Sequence, residues 1–347
     1  MFPLKGYILD FQMKSENSAL VKPKKDIVHF LEEVGYKTID YDFYPQKYKR
    51  FLFLAISWQK KIKGLRDTMI VFQYPMYSRI CEKVMLKSVK KKENVKTVVI
   101  VHDVDSLRFG KHNKKKVSAE IKYLNEFDCL VVHNNNMKKW LEDNGIRVPM
   151  VSLGIFDYEN SNNQNPNYSV EDGLVFAGNL WKSAFLKQIN IKTKIQLLGP
   201  NPLSHYPQNI RYDGQYSPEE VPMHFKAAFG LVWDGDLNDN NLAEYTMYNN
   251  PHKASLYLSS GLPVIVWKDA ALSDFVVSNK VGFVISKLDD IDSMMNQITQ
   301  QDYHELKKNV KRISLQMRSG YYIKTAMENV RRALKKNSVL TRVLITG

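Results

Sequence analysis

Tyr158-Glu159-Asn160-Ser161-Asn162-Asn163-Gln164-Asn165-Pro166-Asn167-Tyr168-Ser169 divides the chain. The stretch is polar, rich in turn-forming residues and without an apolar period, as a linker is. On both sides of it short β-like runs alternate with helical patterns, which argues for parallel sheets with crossover helices. Before it, the patterns predict strands at Gly6–Leu9, Met69–Phe72, Thr97–Val101 and Cys129–Val132. Helices are expected near Lys24–Val34, Phe51–Ile62, Met76–Ser88, Val117–Phe127 and Met137–Asn144, with Gly35 and Gly145 as helix-ending glycines. After it, strands are expected at Leu174–Phe176, Ile195–Leu198, Phe229–Trp233, Pro263–Val266 and Gly282–Ile285. The helices predicted there are Glu219–Ala228, Pro251–Ser260, Leu272–Ser278 and Ile291–Ile298, and His304–Lys336 closes the chain as two more. With 347 residues, two domains are the natural expectation. The expected division is a first domain at 1–157, a linker at 158–169, a second domain at 170–320, and a helix and tail at 321–347. Two such α/β halves face a cleft, and ligands bind outside the carboxyl ends of their strands.

Composition narrows the classes further. No apolar run approaches the length of a membrane span, and the amino terminus lacks a signal-peptide pattern, so a cytoplasmic location is expected. Cys81 and Cys129 are isolated and read as inert buried thiols. The net charge of +14 is uneven: residues 1–150 hold 29 Lys and Arg against 17 acidic residues, leaving the second half nearly neutral. The excess clusters at Lys60–Lys63, Lys87–Lys92 and Lys111–Lys116. Such a surface attracts nucleic acid, phosphorylated substrates or acidic lipid headgroups, or is simply solvated.

Five segments could carry chemistry. Phe176-Ala177-Gly178-Asn179-Leu180-Trp181-Lys182-Ser183 follows a strand, and its turn allows close backbone approach, with Lys182 within reach of a phosphate. In Asn249-Asn250-Pro251-His252-Lys253, Asn250 suits an N-cap and Pro251 the first helical position. Lys253 would then sit in the first turn, where a cation opposes the helix dipole unless an anion lies between them, which points to a diphosphate. Ser259 to Trp267 reads as scaffold. Val101-His102-Asp103-Val104-Asp105 follows a buried strand, where His and Asp can supply a general base or hold an acceptor; a capping aspartate and a structural histidine are the plain alternative. Trp233-Asp234-Gly235-Asp236 offers two carboxylates to sugar hydroxyls or a metal, but no convincing metal spacing supports the latter. A P-loop, GxGxxG, GxSxG and HExxH are all missing from the sequence, which argues against the enzyme classes they mark.

These motifs, in this order and spacing, resemble the bacterial β-1,6-galactofuranosyltransferases of O-antigen and exopolysaccharide clusters. Phe72-Gln73-Tyr74-Pro75-Met76 extends the likeness into the first domain. A more distant likeness is to the streptococcal glucosyltransferases that extend O-linked GlcNAc on serine-rich adhesins. The resemblance implies the GT-B architecture, two Rossmann-like domains, with a UDP-sugar donor on the second domain and a glycan acceptor on the first. It implies transfer without metal or other cofactor, and a homo-oligomer. Position by position, Asn179 and Lys182 match the nucleotide-contacting turn, Tyr216 a position near uracil, and Asn249, His252 and Lys253 the diphosphate-binding helix start. Ser18 matches a first-domain position facing the donor. The adhesin-modifying branch has arginine at the place of Lys182 and lacks the Asn-Pro-His run, which favours the galactofuranosyl branch.

The expected reaction is displacement of UDP by an acceptor hydroxyl. Lys253 and its helix neutralise the leaving group. Transfer from an α-linked donor to a β-linked product inverts configuration and needs a base, assigned to Asp103 with Asp105 and His102 as alternatives. The basic first domain fits a polyprenyl-diphosphate-linked acceptor at the inner membrane face and peripheral attachment there. The competing readings are a UDP-glucose or UDP-GlcNAc transferase acting on an adhesin, a non-catalytic sugar-binding partner of another transferase, and a nucleic-acid binder, the last weakened by the lack of a reader motif. Ser338 to Gly347 has no functional reading.

Overall fold

The computed structural model describes residues 4–12, 21–42, 56–76, 78–161, 168–235 and 241–346. The chain forms two compact units, Met1–Leu153 with Ile323–Gly347, and Gly154–Tyr322. In the first, six parallel strands are β1 (Lys5–Gln12), β2 (Lys37–Asp42), β3 (Thr68–Tyr74), β4 (Val95–Val101), β5 (Cys129–Val132) and β6 (Met150–Ser152), ordered β2-β1-β3-β4-β5-β6. Helices α1 (Lys22–Glu32), α2 (Arg79–Lys90), α3 (Asp105–Gly110), α4 (Lys114–Leu124) and α5 (Asn135–Asp143) connect them. β3 and β5 are buried along their whole length, as strands covered on both faces must be, and Met69–Phe72 and Cys129–Val132 within them read as continuous apolar runs in the sequence.

The second unit holds β7 (Leu174–Ala177), β8 (Ile195–Leu198), β9 (Ile210–Tyr212), β10 (Phe229–Val232), β11 (Val264–Trp267) and β12 (Gly282–Ile285), in the order β12-β11-β10-β7-β8-β9. This is the doubly wound dinucleotide-fold order, with its switch point between β7 and β10. Its helices are α6 (Asn241–Tyr245), α7 (His252–Ser259), α8 (Ser273–Asn279), α9 (Asp290–Gln297) and α10 (Gln300–Arg318). The last helix, α11 (Tyr321–Thr346), returns to the first unit. There Arg331 donates to the Leu4 carbonyl (2.9 Å) and Lys324 pairs with Glu33 (2.7 Å).

The strands that patterning missed, β2, β6 and β9, are all edge strands. Edge strands bury less surface and so carry a weaker apolar signal. The helix expected over Glu219–Ala228 is only a 3₁₀ turn at Val221–His224. Tertiary hydrogen bonds outcompete it: Gln196 donates to the His224 carbonyl (2.8 Å) and accepts from the Lys226 N–H (2.9 Å), drawing the chain into β10. Of the helix expected over Phe51–Ile62, residues 51–55 lie outside the described residues, and 56–61 are helical. Gly35 and Gly145 have φ of 85° and 102°, as helix-ending glycines do.

The units divide between Leu153 and Gly154, ahead of the polar stretch. Residues 154–161 are bound into the second unit instead of linking freely. Tyr158 donates to the Pro218 carbonyl (3.1 Å), and the buried Asn160 amide donates to the Ser260 hydroxyl (3.1 Å).

One close approach fixes α7 against its sheet. A Cβ on Gly230 of β10 would meet the buried Tyr257 ring at 2.2 Å. Gly230→Ala is therefore expected to destabilise the second unit by about 1–3 kcal/mol, the usual range for overpacking, measurable as a lower denaturant midpoint.

Candidate functional site

The switch point of the second sheet gathers the strongest constellation. Tyr257, on α7, accepts the Ala177 N–H at the end of β7 (2.7 Å), and burial raises its hydroxyl pKa. One helical turn earlier, Lys253 shares that face. Its ammonium lies 4.5 Å from the Phe176 ring centroid and donates to the Trp233 carbonyl (2.9 Å) and to Asp234 (2.6 Å) just after β10. The conflict expected between Lys253 and its helix dipole is thus already relieved inside the protein by Asp234. That carboxylate is 29% exposed and the lysine 15%. Trp233 and Asp234 also line a small pocket with Gly235, Thr246, Pro251 and Trp267. The Trp233 indole N–H is buried and finds no acceptor among the described residues.

The start of α7 differs from expectation. Pro251, not Asn250, is the N-cap, and the cap makes no side-chain hydrogen bond. Asn250 is buried, and its amide donates to the Gly154 carbonyl (2.8 Å). Ser255 donates to the Phe156 carbonyl (2.8 Å), and the His252 ring lies 4.3 Å from that of Phe156. The first turn of α7 is therefore docked on the segment that enters this unit. Asn249 keeps a buried side-chain oxygen with no donor among the described residues.

Asn179 follows β7, where its side chain accepts from Trp181 N–H (3.2 Å) and from Asn201 (3.2 Å). Lys182 ends the same 3₁₀ turn and is exposed. Tyr216 follows β9, with its ring stacked on His224 at 3.4 Å and its hydroxyl donating to the Asp213 carbonyl (3.0 Å). Asn179, Lys182, Tyr216 and Lys253 all belong to the carboxyl end of this sheet. Ser18 and Asp236 lie outside the described residues.

In the first unit a second polar cluster sits at the carboxyl ends of β3 and β4. Gln73 donates to the carbonyls of Leu9 and Lys24 (both 3.2 Å), so its oxygen accepts from His102 Nε2 (2.9 Å), which makes that nitrogen the protonated one. Asp103 pairs with Arg108 (2.9 Å). The N–H groups of Asp105 and Ser106 donate to the two oxygens of Glu120 (3.0 and 2.7 Å), which also accepts from the Tyr74 hydroxyl. Burial, then the neighbouring carboxylates Glu120 and Asp103, raise the proton affinity of Asp105. Glu82, buried on α2, accepts the Met76 N–H (2.7 Å), and burial raises its pKa.

Glu82 and Glu120 were not singled out from the sequence, although each breaks the apolar face of an amphipathic helix: Glu82 lies among Cys81, Met85 and Leu86, Glu120 among Val117, Ile121 and Leu124. That misplacement was the available signal. Among the described residues no three His, Cys, Asp or Glu side chains are grouped to hold a metal ion.

Lys24 lies beside these carboxylates, donating to the Pro75 carbonyl. Burial lowers its pKa to about 8, against the pull of Glu82, Asp103 and Asp105.

Comparison with known proteins gives the class of the chain. The family model described as "Glucosyltransferase 3-like, N-terminal domain" matches residues 5–155, and that of the corresponding C-terminal domain matches residues 174–330. The chain is 30% identical over 270 residues to "Beta-1,6-galactofuranosyltransferase WbbI" of Escherichia coli (strain K12), covering 75% of this chain and 78% of that protein. It is 22% identical over 327 residues to "Glucosyltransferase 3" of Streptococcus gordonii, covering 91% and 95%. In fold it is similar to the trehalose-6-phosphate synthase OtsA, with a TM-score of 0.62 and 8% identity over 94% of this chain and 99% of that one. Two doubly wound sheets with polar sites at their carboxyl ends, in this company, define a GT-B glycosyltransferase. Within that class the chain belongs to the glucosyltransferase 3-like family.

Two outcomes follow from the site geometry. Tyr257→Phe strands the buried Ala177 N–H and should cost about 1–3 kcal/mol in chemical denaturation. For Lys24, the folded-state pKa lies below the unfolded value, so the unfolded chain binds more protons between them. Between pH about 8 and about 10 the stability of the native protein should therefore rise relative to Lys24→Met, by on the order of 3 kcal/mol. Urea melts of both proteins across that range read the difference.

Proposed function

We propose that the chain transfers galactofuranose from UDP-galactofuranose to a hydroxyl of a glycan acceptor in cell-surface polysaccharide synthesis. The observation that carries this reading is Lys253, held over Phe176 at the switch point by Tyr257 beneath and Asp234 beside it. A diphosphate at the start of α7 would meet this ammonium and the first-turn N–H groups together. Asp234 keeps the amine aimed there until the nucleotide supplies a stronger anion. The 30% identical relative, by name a β-1,6-galactofuranosyltransferase, supports the sugar and the product. No metal enters the proposed step, because Lys253 and the helix supply the positive charge.

For inversion, the base lies in the His102–Asp105 loop. His102 spends Nε2 as a donor to Gln73, so the carboxylates are favoured. Asp103, paired with Arg108, is the first candidate. The raised proton affinity of Asp105 suits a base as well. A second reading, glucosyl transfer to a protein-borne glycan, has the support of the glucosyltransferase that matches nearly the whole chain.

Thermal melts with UDP, UDP-galactofuranose, UDP-galactopyranose, UDP-glucose and UDP-GlcNAc decide among donors. A ligand of the folded state raises the melting temperature. UDP and UDP-galactofuranose should give the largest shifts, and Lys253→Ala should abolish them. Shifts confined to UDP-glucose or UDP-GlcNAc would establish the second reading. Asp103→Asn and Asp105→Asn should bind donor as wild type does, and the variant that removes the base should lose at least a hundredfold in turnover.

A further inference from the structure

The chain passes between its two units twice, from Leu153 to Gly154 and from Tyr322 to Ile323. Both crossings are tied to α7, the helix that carries Lys253. Residues 154–160 form neither helix nor strand, so their backbone carbonyls take partners from elsewhere. Helix α7 and its flanks meet this segment in order. Asn250, just ahead of the helix, donates to the Gly154 carbonyl (2.8 Å). Ser255, in its middle, donates to the Phe156 carbonyl (2.8 Å), and the His252 ring lies 4.3 Å from that of Phe156. Ser260, the C-cap, accepts from the Asn160 amide (3.1 Å). From Asn250 to Ser260 the helix rises about 15 Å, and the segment from Gly154 to Asn160 can reach about 20 Å, so it runs alongside α7 from end to end.

The second crossing is joined to the same segment at Asp157. This buried carboxylate accepts the N–H of Tyr322, the last residue of the second unit (3.1 Å). A Cβ on Gly154 would lie 3.8 Å from the Tyr322 ring, so the first and last residues of that unit are packed together. The helix start that carries Lys253 and both points where the chain leaves the unit thus form one block.

Group transfer is sensitive to placement, and an error of about 1 Å can cost on the order of a hundredfold in rate. In the proposed reaction the leaving group sits at α7 and the base belongs to the first unit. We propose that residues 154–160 fix the placement of the donor site against the first unit, with Asn250 and Asp157 as positioning residues. The inference rests on the transferase reading. Asn250 holds the start of α7 on the first crossing, and Asp157 holds the second crossing on the same segment. Neither bond is needed by the ammonium of Lys253, which keeps its own acceptors at Trp233 and Asp234. Loss of either positioning bond therefore spares nucleotide affinity and lowers turnover.

The test compares Asn250→Ala, Asp157→Ala, Asp157→Asn and the double alanine variant as full chains. UDP affinity is measured by titration, and kcat with whichever UDP-sugar gives the wild type its largest melting shift. Rates are compared well below the lowest melting temperature among the variants. Each single alanine variant should lose about tenfold or more in kcat while UDP affinity stays within about threefold. Asp157→Asn keeps an acceptor for the Tyr322 N–H and should stay within about twofold of wild type in kcat. The double variant should lose little more than the worse single one, because both residues act through one segment. The proposal is overturned if the folded alanine variants turn over like wild type. It is equally overturned if kcat falls only in step with UDP affinity, or if the two losses multiply, since either marks separate local damage. A wild-type chain that binds no UDP and turns over no UDP-sugar would sink the transferase reading itself, and the wild type alone shows that.

Discussion

Tyr257 is the constraint on which the second unit's chemistry depends. Its ring occupies the space that a side chain on Gly230 would take, and its hydroxyl accepts the N–H that ends β7. Both contacts cross the switch point, one to β10 and one to β7. They set the depth of α7 against the sheet, and with it the position of Lys253 one turn nearer the helix start. A lysine on a looser helix could reach many places. Here burial, the Phe176 ring, a carbonyl and a carboxylate leave the ammonium one geometry. The ammonium is thus placed by the fold itself.

The first unit solves a different problem with the same means. Its loop after β4 must hold several polar groups at the carboxyl end of a buried sheet. Glu120 does this from beneath, accepting two successive backbone N–H groups and a tyrosine hydroxyl. Gln73 bridges β1 and α1 through its amide nitrogen and fixes His102 through its oxygen. Burial first, and neighbouring carboxylates after it, raise the proton affinity of Asp105 and Glu82 at this end of the sheet.

Much of this was legible beforehand. The buried strands β3, β4, β5, β7, β8, β10 and β11 are predominantly apolar, and the helices between them carry the helical period. Two doubly wound halves therefore follow from patterning alone. The edge strands β2, β6 and β9 escaped, because a strand that borders solvent needs no apolar run. The turn after β7, the Asn249–Lys253 helix start and the loop after β4 stood out because turn chemistry and titratable groups followed strands.

The sequence by itself determined the fold class, the two-part organisation and the segments that bear the chemistry, because apolar periodicity and turn residues are local properties. Tertiary structure decided the partners. Asn250, a good N-cap by local rules, is spent on the Gly154 carbonyl. Lys253, in conflict with its own helix, is reconciled by Asp234 from another strand. The unit boundary precedes the polar stretch because Tyr158 and Asn160 find acceptors far along the chain, and the last helix belongs to the unit that begins it. Each of these is a hydrogen bond or ion pair between residues distant in sequence. Its free energy depends on burial and geometry that exist only once the chain has folded.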